Sequence, residues 1–131
     1  MIDLNEQKLY NIIKNYIPDL TQTEEFDFSD AYSVVFNTRI EFKCRRAHYN
    51  DLLIEKMKWD KLIECDNVRY INSTPIGVYS FDLKVIKEPI WSEREMPIST
   101  EFGNKNKSIK LVGFINIRDG KDITLLIKKF L

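Results

Sequence analysis

The strongest constraint on the fold is a strict alternation of charged and apolar side chains between positions 39 and 45. The segment is RIEFKCR, in which the odd positions are charged and the even positions are apolar or small. A period of two is typical of a β-strand with one face packed on a core. The segment AYSVVF precedes it across the turn residues Asn37 and Thr38. The sequence therefore predicts a β-hairpin of Ala31–Phe36 with Arg39–Arg45.

The predicted hairpin gathers charged groups on one face. An even-length loop centred on Asn37 and Thr38 pairs Val34 with Glu41 and places Asp30 opposite Arg45. Asp30 then shares a face with Glu41 but lies more than one diagonal step from it. Strand twist, a shifted register or long side chains would have to bring the two carboxylates around one ion.

The residue types on this face suit phosphodiester chemistry. The Asp30 and Glu41 carboxylates and the Phe42 carbonyl are oxygen ligands of the kind that Mg²⁺ or Mn²⁺ prefers. Lys43, beside them, can orient or deprotonate an attacking water. The prediction is a metal-dependent site with Asp30, Glu41 and Lys43 as catalytic residues and Asp30, Glu41 and Phe42 as metal ligands. A solvated charged face is the simpler interpretation of the same alternation.

Basic residues follow the second strand directly. Arg45, Arg46 and His48 are placed to contact the phosphates on either side of a scissile bond. His48 is the only histidine, so a zinc site is not expected.

The remaining segments predict an α+β domain. The spacing of Leu4, Leu9 and Ile12 predicts a first helix with Asn5 as its cap. A second helix is predicted from Asp51 to Glu64, on which Lys56 falls within the apolar stripe and Lys58 on its border. The sequence pattern predicts strands at 67–72, 76–86 and 108–117 and an irregular segment at 88–107. The pattern does not assign a type to 123–131. The order α-β-β-α-β-β plus C-terminal strands contains no linker, which predicts a single domain over 1–131.

Composition excludes several classes of protein. Net charge is zero at pH 7, so no overall field favours nucleic acid. No apolar run approaches the ~20 residues that span a bilayer, and the start MIDLNEQK is not a signal peptide. Charge is nevertheless uneven, with an acidic N-terminal 30 residues and a basic C-terminal segment. A site that holds cations beside bound phosphates would use that distribution.

Two segments together resemble a known superfamily. FSDAYSVVFNTRIEFKCRR followed by YNDLLIEKMKWDKLIECDNVRYIN resembles the PD-(D/E)XK nucleases, especially small phage-type members related to Holliday-junction resolvases and restriction endonucleases. The resemblance covers about residues 5–83. It implies a restriction-endonuclease-like fold with a mixed central sheet flanked by helices.

The resemblance also implies roles for particular residues. Asp30 matches the metal-binding aspartate, and Glu41 with Lys43 matches the E-x-K pair. Lys58 matches a helical lysine near the site, whereas the apolar pattern favours Lys56 there. Glu6 matches an accessory acid of the first helix.

One departure leaves the first carboxylate open. Ser29 stands where the family has proline before the aspartate. Asp27 is a nearby alternative to Asp30, but its opposite strand parity requires a bulge to reach the same face.

The segment FGNKNKSIK supplies further cations. Lys105, Lys107 and Lys110 make it a candidate DNA clamp, and a solvated basic loop is the alternative.

The leading hypothesis is a Mg²⁺- or Mn²⁺-dependent DNA endonuclease or resolvase. Its partner would be DNA, and it would act as a homodimer or within a larger phage or host assembly, with no membrane. The expected location is the cytoplasm, as a phage product in its host, or the virion if it is structural. Its rivals are a catalytically inactive nuclease-fold module that binds nucleic acid or serves phage assembly, and an unrelated α+β domain carrying Glu-x-Lys.

Overall fold

The computed structural model describes residues 1–24, 30–97 and 107–131. Its helices are α1 (Glu6–Lys14), α2 (Lys56–Leu62) and α3 (Thr124–Lys128), with a 3-10 turn at Ile117–Asp119. Its strands are β1 (Thr21–Gln22), β2 (Ala31–Ser33), β3 (Thr38–Cys44), β4 (Asp51–Glu55), β5 (Val68–Thr74), β6 (Gly77–Asp82), β7 (Ser92–Pro97), β8 (Lys107–Asn116) and β9 (Lys121–Asp122). None of the helices in these ranges has the length and apolarity to cross a bilayer.

A mixed sheet forms the centre of the fold. Its strand order is β1-β2-β3-β5-β6-β9. The β3–β5 pair is parallel and the other neighbours are antiparallel. The predicted α+β class with a mixed central sheet is therefore confirmed.

The first helix begins as its sequence predicts. The Asn5 side chain accepts a hydrogen bond from the Lys8 amide at 2.8 Å, which satisfies one of the free N–H groups of the first turn. Leu9, Ile12 and Ile13 are buried against one face of the central sheet, together with Ile40 and Phe42 of β3. The amphipathic pattern of α1 thus fixes which face of β3 is apolar.

The predicted helix from Asp51 to Glu64 is wrong in its first third. Residues Asp51–Glu55 form β4, and only Lys56–Leu62 is helical. Leu52 and Ile54 are buried while Asp51 is exposed, so the segment has a period of two. Leu53 between them makes the run look continuously apolar, and its true type is decided by antiparallel pairing with the distant β8.

A second sheet covers the other face of the central sheet. Its order is β4-β8-β7. Its edge strand, Ser92–Pro97, lies inside the segment predicted to be irregular, because pairing with β8 overrides a polar sequence with weak strand preference. Leu52, Ile54 and Ile115 of this sheet, with Trp59 of α2, pack in one cluster with Tyr70 and Phe81 of the central sheet.

The hairpin forms with a different register from the predicted one. Ser33 pairs with Thr38, and Ala31 pairs with Ile40. The loop is therefore Val34–Asn37, and β2 ends three residues before Phe36. The Asp19 carboxylate sets this loop by accepting from the Ser33 hydroxyl at 2.7 Å and the Val35 amide at 3.0 Å.

The shifted register changes which residue lies near Glu41. Strand parity is unchanged, so the charged residues of β3 still share a face. Arg45 does not lie opposite Asp30, as predicted. Asp30 instead precedes Ala31, the partner of Ile40, and lies beside Glu41 and Phe42.

Candidate functional site

Glu41 is a buried carboxylate in the middle of the central sheet. It retains only 9% of its accessible surface and pairs in register with Tyr70 of the parallel neighbour β5. Burial, reinforced by the negative charge of Asp30, raises the pKa of Glu41 from 4.5 to about 7. A buried acid with so large a shift is the kind of group that functional sites hold.

Asp30 is fixed beside Glu41 by the backbone of β3. Its carboxylate accepts from the Phe42 amide at 2.7 Å, and its own amide donates to the Ile40 carbonyl at 3.0 Å. The structure thus brings Asp30, Glu41 and Phe42 together. Asp27, the alternative aspartate, lies outside the described residues.

Glu6 joins these two carboxylates from the start of α1. Partial burial raises the pKa of Glu6, and the Asp30 charge adds to this effect, while Lys43 and Lys58 oppose it. Three acids from α1, the β2 edge and β3 therefore act on one another electrostatically.

Glu6 and Glu41 border an open cleft of about 660 Å³ between the two sheets. One wall carries Glu6, Glu41, Lys43, Lys58 and Tyr70. The opposite wall comes from β4, β7 and β8 and contributes Leu53, Glu55, Met96, Pro97 and Lys110. A flexible polymer could enter such a cleft from solvent and reach Glu41.

The two helical lysines differ in position. The Lys58 ammonium lies 2.9 Å from Glu41 Oε1. Lys56 instead pairs with Asp60 at 2.7 Å and lies over the Trp91 ring at 5.9 Å. Since the strand β4 replaces the first third of the predicted helix, the stripe that favoured Lys56 does not exist, and Lys58 is the lysine at the cleft.

Arg45 reaches the site but is held by protein acceptors. Its Nε donates to Asn72 Oδ1 at 2.9 Å and its Nη2 to the Leu53 carbonyl at 2.7 Å. Arg45 thereby links β5 to β4 at the back of the cleft. Burial raises the pKa of the adjacent Tyr70 to about 12, which keeps that phenol protonated.

The other predicted phosphate contacts are dispersed. Arg46 is exposed and lines a separate cleft with the N-terminal residues and Glu6. His48 Nδ1 is 2.8 Å from Thr74 Oγ1 and its Nε2 is 3.3 Å from Asn50 Oδ1. Lys107 is exposed at the start of β8, and Lys105 lies outside the described residues.

Sequence reasoning missed the second wall of the cleft. Leu53 and Glu55 belong to a segment predicted as helix, and Met96 belongs to one predicted as irregular. The sequence of this segment is continuously apolar from Leu52 to Ile54, so the period of two that places Leu53 and Glu55 on one face appears only in the burial of the folded chain.

The donor set at Glu41 suits a hard divalent cation in its chemistry. Asp30 and Glu41 are carboxylates whose mutual repulsion a cation would relieve, and the Phe42 carbonyl adds a neutral oxygen. Within residues 1–24, 30–97 and 107–131, however, no three Asp, Glu, His or Cys side chains already converge at metal-binding distance. A cation at Glu41 would compete with the Lys58 ammonium for Oε1.

The architecture is similar to that of a solved Holliday junction resolvase. The structure of Hjc, a Holliday junction resolvase from the archaeal hyperthermophile Archaeoglobus fulgidus, superimposes with a TM-score of 0.52. The two share 14% identity over 96% of this chain and 94% of the resolvase. The chain has a resolvase-like fold.

Sequence comparison adds no closer assignment. No family model matches the chain, and no curated protein does so either. At 14% identity the likeness to the resolvase establishes the restriction-endonuclease-like fold alone. The chemistry has to be inferred from the residues of the site.

Proposed function

We propose that this chain is a single nuclease-like domain, 1–131, that hydrolyses DNA phosphodiester bonds with Mg²⁺ or Mn²⁺. The observation that carries the proposal is the buried Glu41 carboxylate beside Asp30, with Lys43 on the same strand face. Glu41 and Lys43 line an open cleft of a resolvase-like fold. A structured DNA is the proposed substrate, and two copies of so small a domain would supply two sites for its two strands.

Each residue has a distinct proposed role. Asp30, Glu41 and the Phe42 carbonyl would hold the cation, which supplies charge neutralisation at the phosphate and acidifies a water. The Phe42 amide holds the Asp30 carboxylate in place, so little conformational entropy is lost at Asp30 when the cation binds. Lys43 would orient the attacking water and offset charge on the phosphate oxygens. Glu6 would accept protons or hold solvent at the cleft edge.

Cleavage assays test this proposal directly. A labelled four-way junction and a supercoiled plasmid are incubated with the protein in Mg²⁺ or Mn²⁺, and in EDTA as the control. We expect product only with the cation. The Glu41→Ala variant, folded by circular dichroism, serves to exclude a contaminating nuclease, and equal cleavage by that variant would refute the assignment.

A second candidate function has an observation in its favour. Glu41 forms an ion pair with Lys58, and no three metal-ligating side chains converge in the described part of the chain. An inactive nuclease-fold module, acting in nucleic-acid binding or in phage or host assembly, would have this arrangement. Junction binding without cleavage by wild-type protein in either cation would favour this alternative.

Lys58 gives a prediction that does not depend on turnover. Its ammonium occupies a Glu41 oxygen that a cation would use. We expect Lys58→Met to tighten Mn²⁺ binding on the order of fivefold, because a partly exposed ion pair contributes up to ~1 kcal/mol. Isothermal titration calorimetry and Mn²⁺-dependent melting temperature measure the change. Lys56→Met, whose partner is Asp60, is the matched control and should leave Mn²⁺ affinity unaltered.

A further inference from the structure

One face of the second sheet exposes an aromatic ring next to the cleft. Phe114 of β8 retains 46% of its accessible surface. Its partner across the β4–β8 pair is Leu53, and directly paired residues of an antiparallel sheet point to the same side. The neighbouring positions Gly113 and Ile115 point the other way, and Ile115 is buried in the core.

One cation lies beside this ring, and a second lies further along β8. The Arg94 guanidinium is 5.9 Å from the Phe114 ring centroid. Arg94 pairs in register with Lys110, whose ammonium is 2.9 Å from Glu55. The surface formed by Phe114, Arg94 and Lys110, here called the β8 platform, therefore has an exposed ring at its centre and two cationic side chains at its margin, of which Lys110 is paired with Glu55.

The β8 platform is continuous with the proposed active-site cleft. Leu53, the partner of Phe114, and Lys110, the partner of Arg94, both line the cleft wall that faces Glu41. A polymer that lies in the cleft would thus extend over the Phe114 ring without leaving the protein surface.

We propose that the β8 platform binds unpaired nucleotides of the DNA substrate, with a base stacked on Phe114 and phosphates contacted by Arg94 and Lys110. This inference rests on the proposed function and adds a substrate class, namely DNA with unpaired bases beside the scissile bond. Aromatic side chains bind single strands because every base has a stacking face, and guanidinium and ammonium groups complement the backbone. A continuous duplex keeps its bases inside the helix and cannot use the ring.

Binding measured without a divalent cation separates this inference from the nuclease proposal. Fluorescence anisotropy in EDTA compares a labelled oligothymidine with a blunt duplex of equal length. We expect wild-type protein to prefer the single strand, and Phe114→Ala to weaken that binding about tenfold, since stacking contributes ~1–3 kcal/mol per base. Phe114→Trp should retain the affinity because it keeps a stacking ring.

Variants on β8 and on the neighbouring β7 isolate the contribution of the ring. Ile109→Ala removes an exposed apolar side chain from the opposite face of β8 and should leave binding unchanged. Arg94→Gln should lower the salt dependence of binding by about one phosphate contact. The inference is overturned if Phe114→Ala binds oligothymidine like wild type, or if Ile109→Ala loses as much affinity.

Two further results distinguish failure of the nuclease proposal from failure of the platform proposal. If wild-type protein cleaves no DNA but Phe114→Ala still loses single-strand affinity, the nuclease proposal fails and the platform stands. If Phe114→Ala leaves DNA affinity unchanged and shifts the sedimentation coefficient from dimer to monomer, the face is a protein interface and the platform proposal is refuted.

Discussion

Replacing Lys43 with methionine should lower the rate of DNA cleavage at least about 100-fold, the lower range for a lost general acid–base group. Lys43 is exposed on β3, two residues after the buried Glu41, and both line the cleft. Methionine keeps the aliphatic stem and removes the ammonium, so the sheet should remain intact. Single-turnover cleavage of a labelled junction at saturating protein measures the chemical step separately from binding.

The control for this variant is Lys121→Met. Lys121 is also an exposed strand lysine, on β9, and it does not line the cleft. We expect this variant to cleave at the wild-type rate. If Lys43→Met also cleaves at that rate, Lys43 is a solvated surface residue, as the simpler interpretation of the alternating strand holds.

The central sheet could be predicted from the sequence because its strands carry local signals. The alternation in β3 and the apolar strands β5 and β6 fix which side chains face which layer. Parity alone therefore placed Asp30, Glu41 and Lys43 on a common face. The register of the hairpin was not predictable from Asn37 and Thr38, since the loop is set by Asp19, a residue 14 positions before Ser33.

The second sheet could not be predicted for a different reason. Its strands β4, β7 and β8 are far apart in sequence, and β7 is almost wholly exposed, with charged side chains at half of its positions. Strand preference depends on cross-strand partners, which a local window does not contain. The formation of β4 affects the site, because it displaces the start of α2 by five residues. As a result Lys58 rather than Lys56 lies at Glu41.

Strand pairing places residues of common types around Glu41 and so forms the site. Neither Glu-x-Lys nor a single buried glutamate is specific by itself. Parallel pairing with β5 places Tyr70 at the level of Glu41, and α2 places Lys58 beside it. The carboxylate is consequently desolvated, close to Asp30 and only partly neutralised, which is an expensive arrangement for a purely structural residue.

That cost leads to a prediction for stability against pH. The folded-state pKa of Glu41, about 7, lies above its ordinary value of 4.5. Folded protein therefore holds the proton more tightly than unfolded protein, and this stabilisation is fully present below pH 4.5 and lost as pH rises through 7. A shift of this size corresponds to about 3 kcal/mol in the free energy of unfolding.

Glu41→Gln should abolish this pH dependence, because glutamine resembles the protonated acid at every pH. At about pH 8 the variant should exceed wild type by about 3 kcal/mol in urea unfolding, a difference that already includes the opposing effect of Lys58 on the Glu41 pKa. Near pH 4.5 the two proteins should unfold alike.

The control is Glu55→Gln, which removes the part-exposed ion pair with Lys110. It should change the free energy of unfolding by under ~1 kcal/mol at both pH values. A Glu41→Gln curve parallel to wild type would mean that Glu41 ionises without penalty. A gain confined to high pH would mean that the fold retains this carboxylate against its own stability, as sites built for ligands or chemistry do.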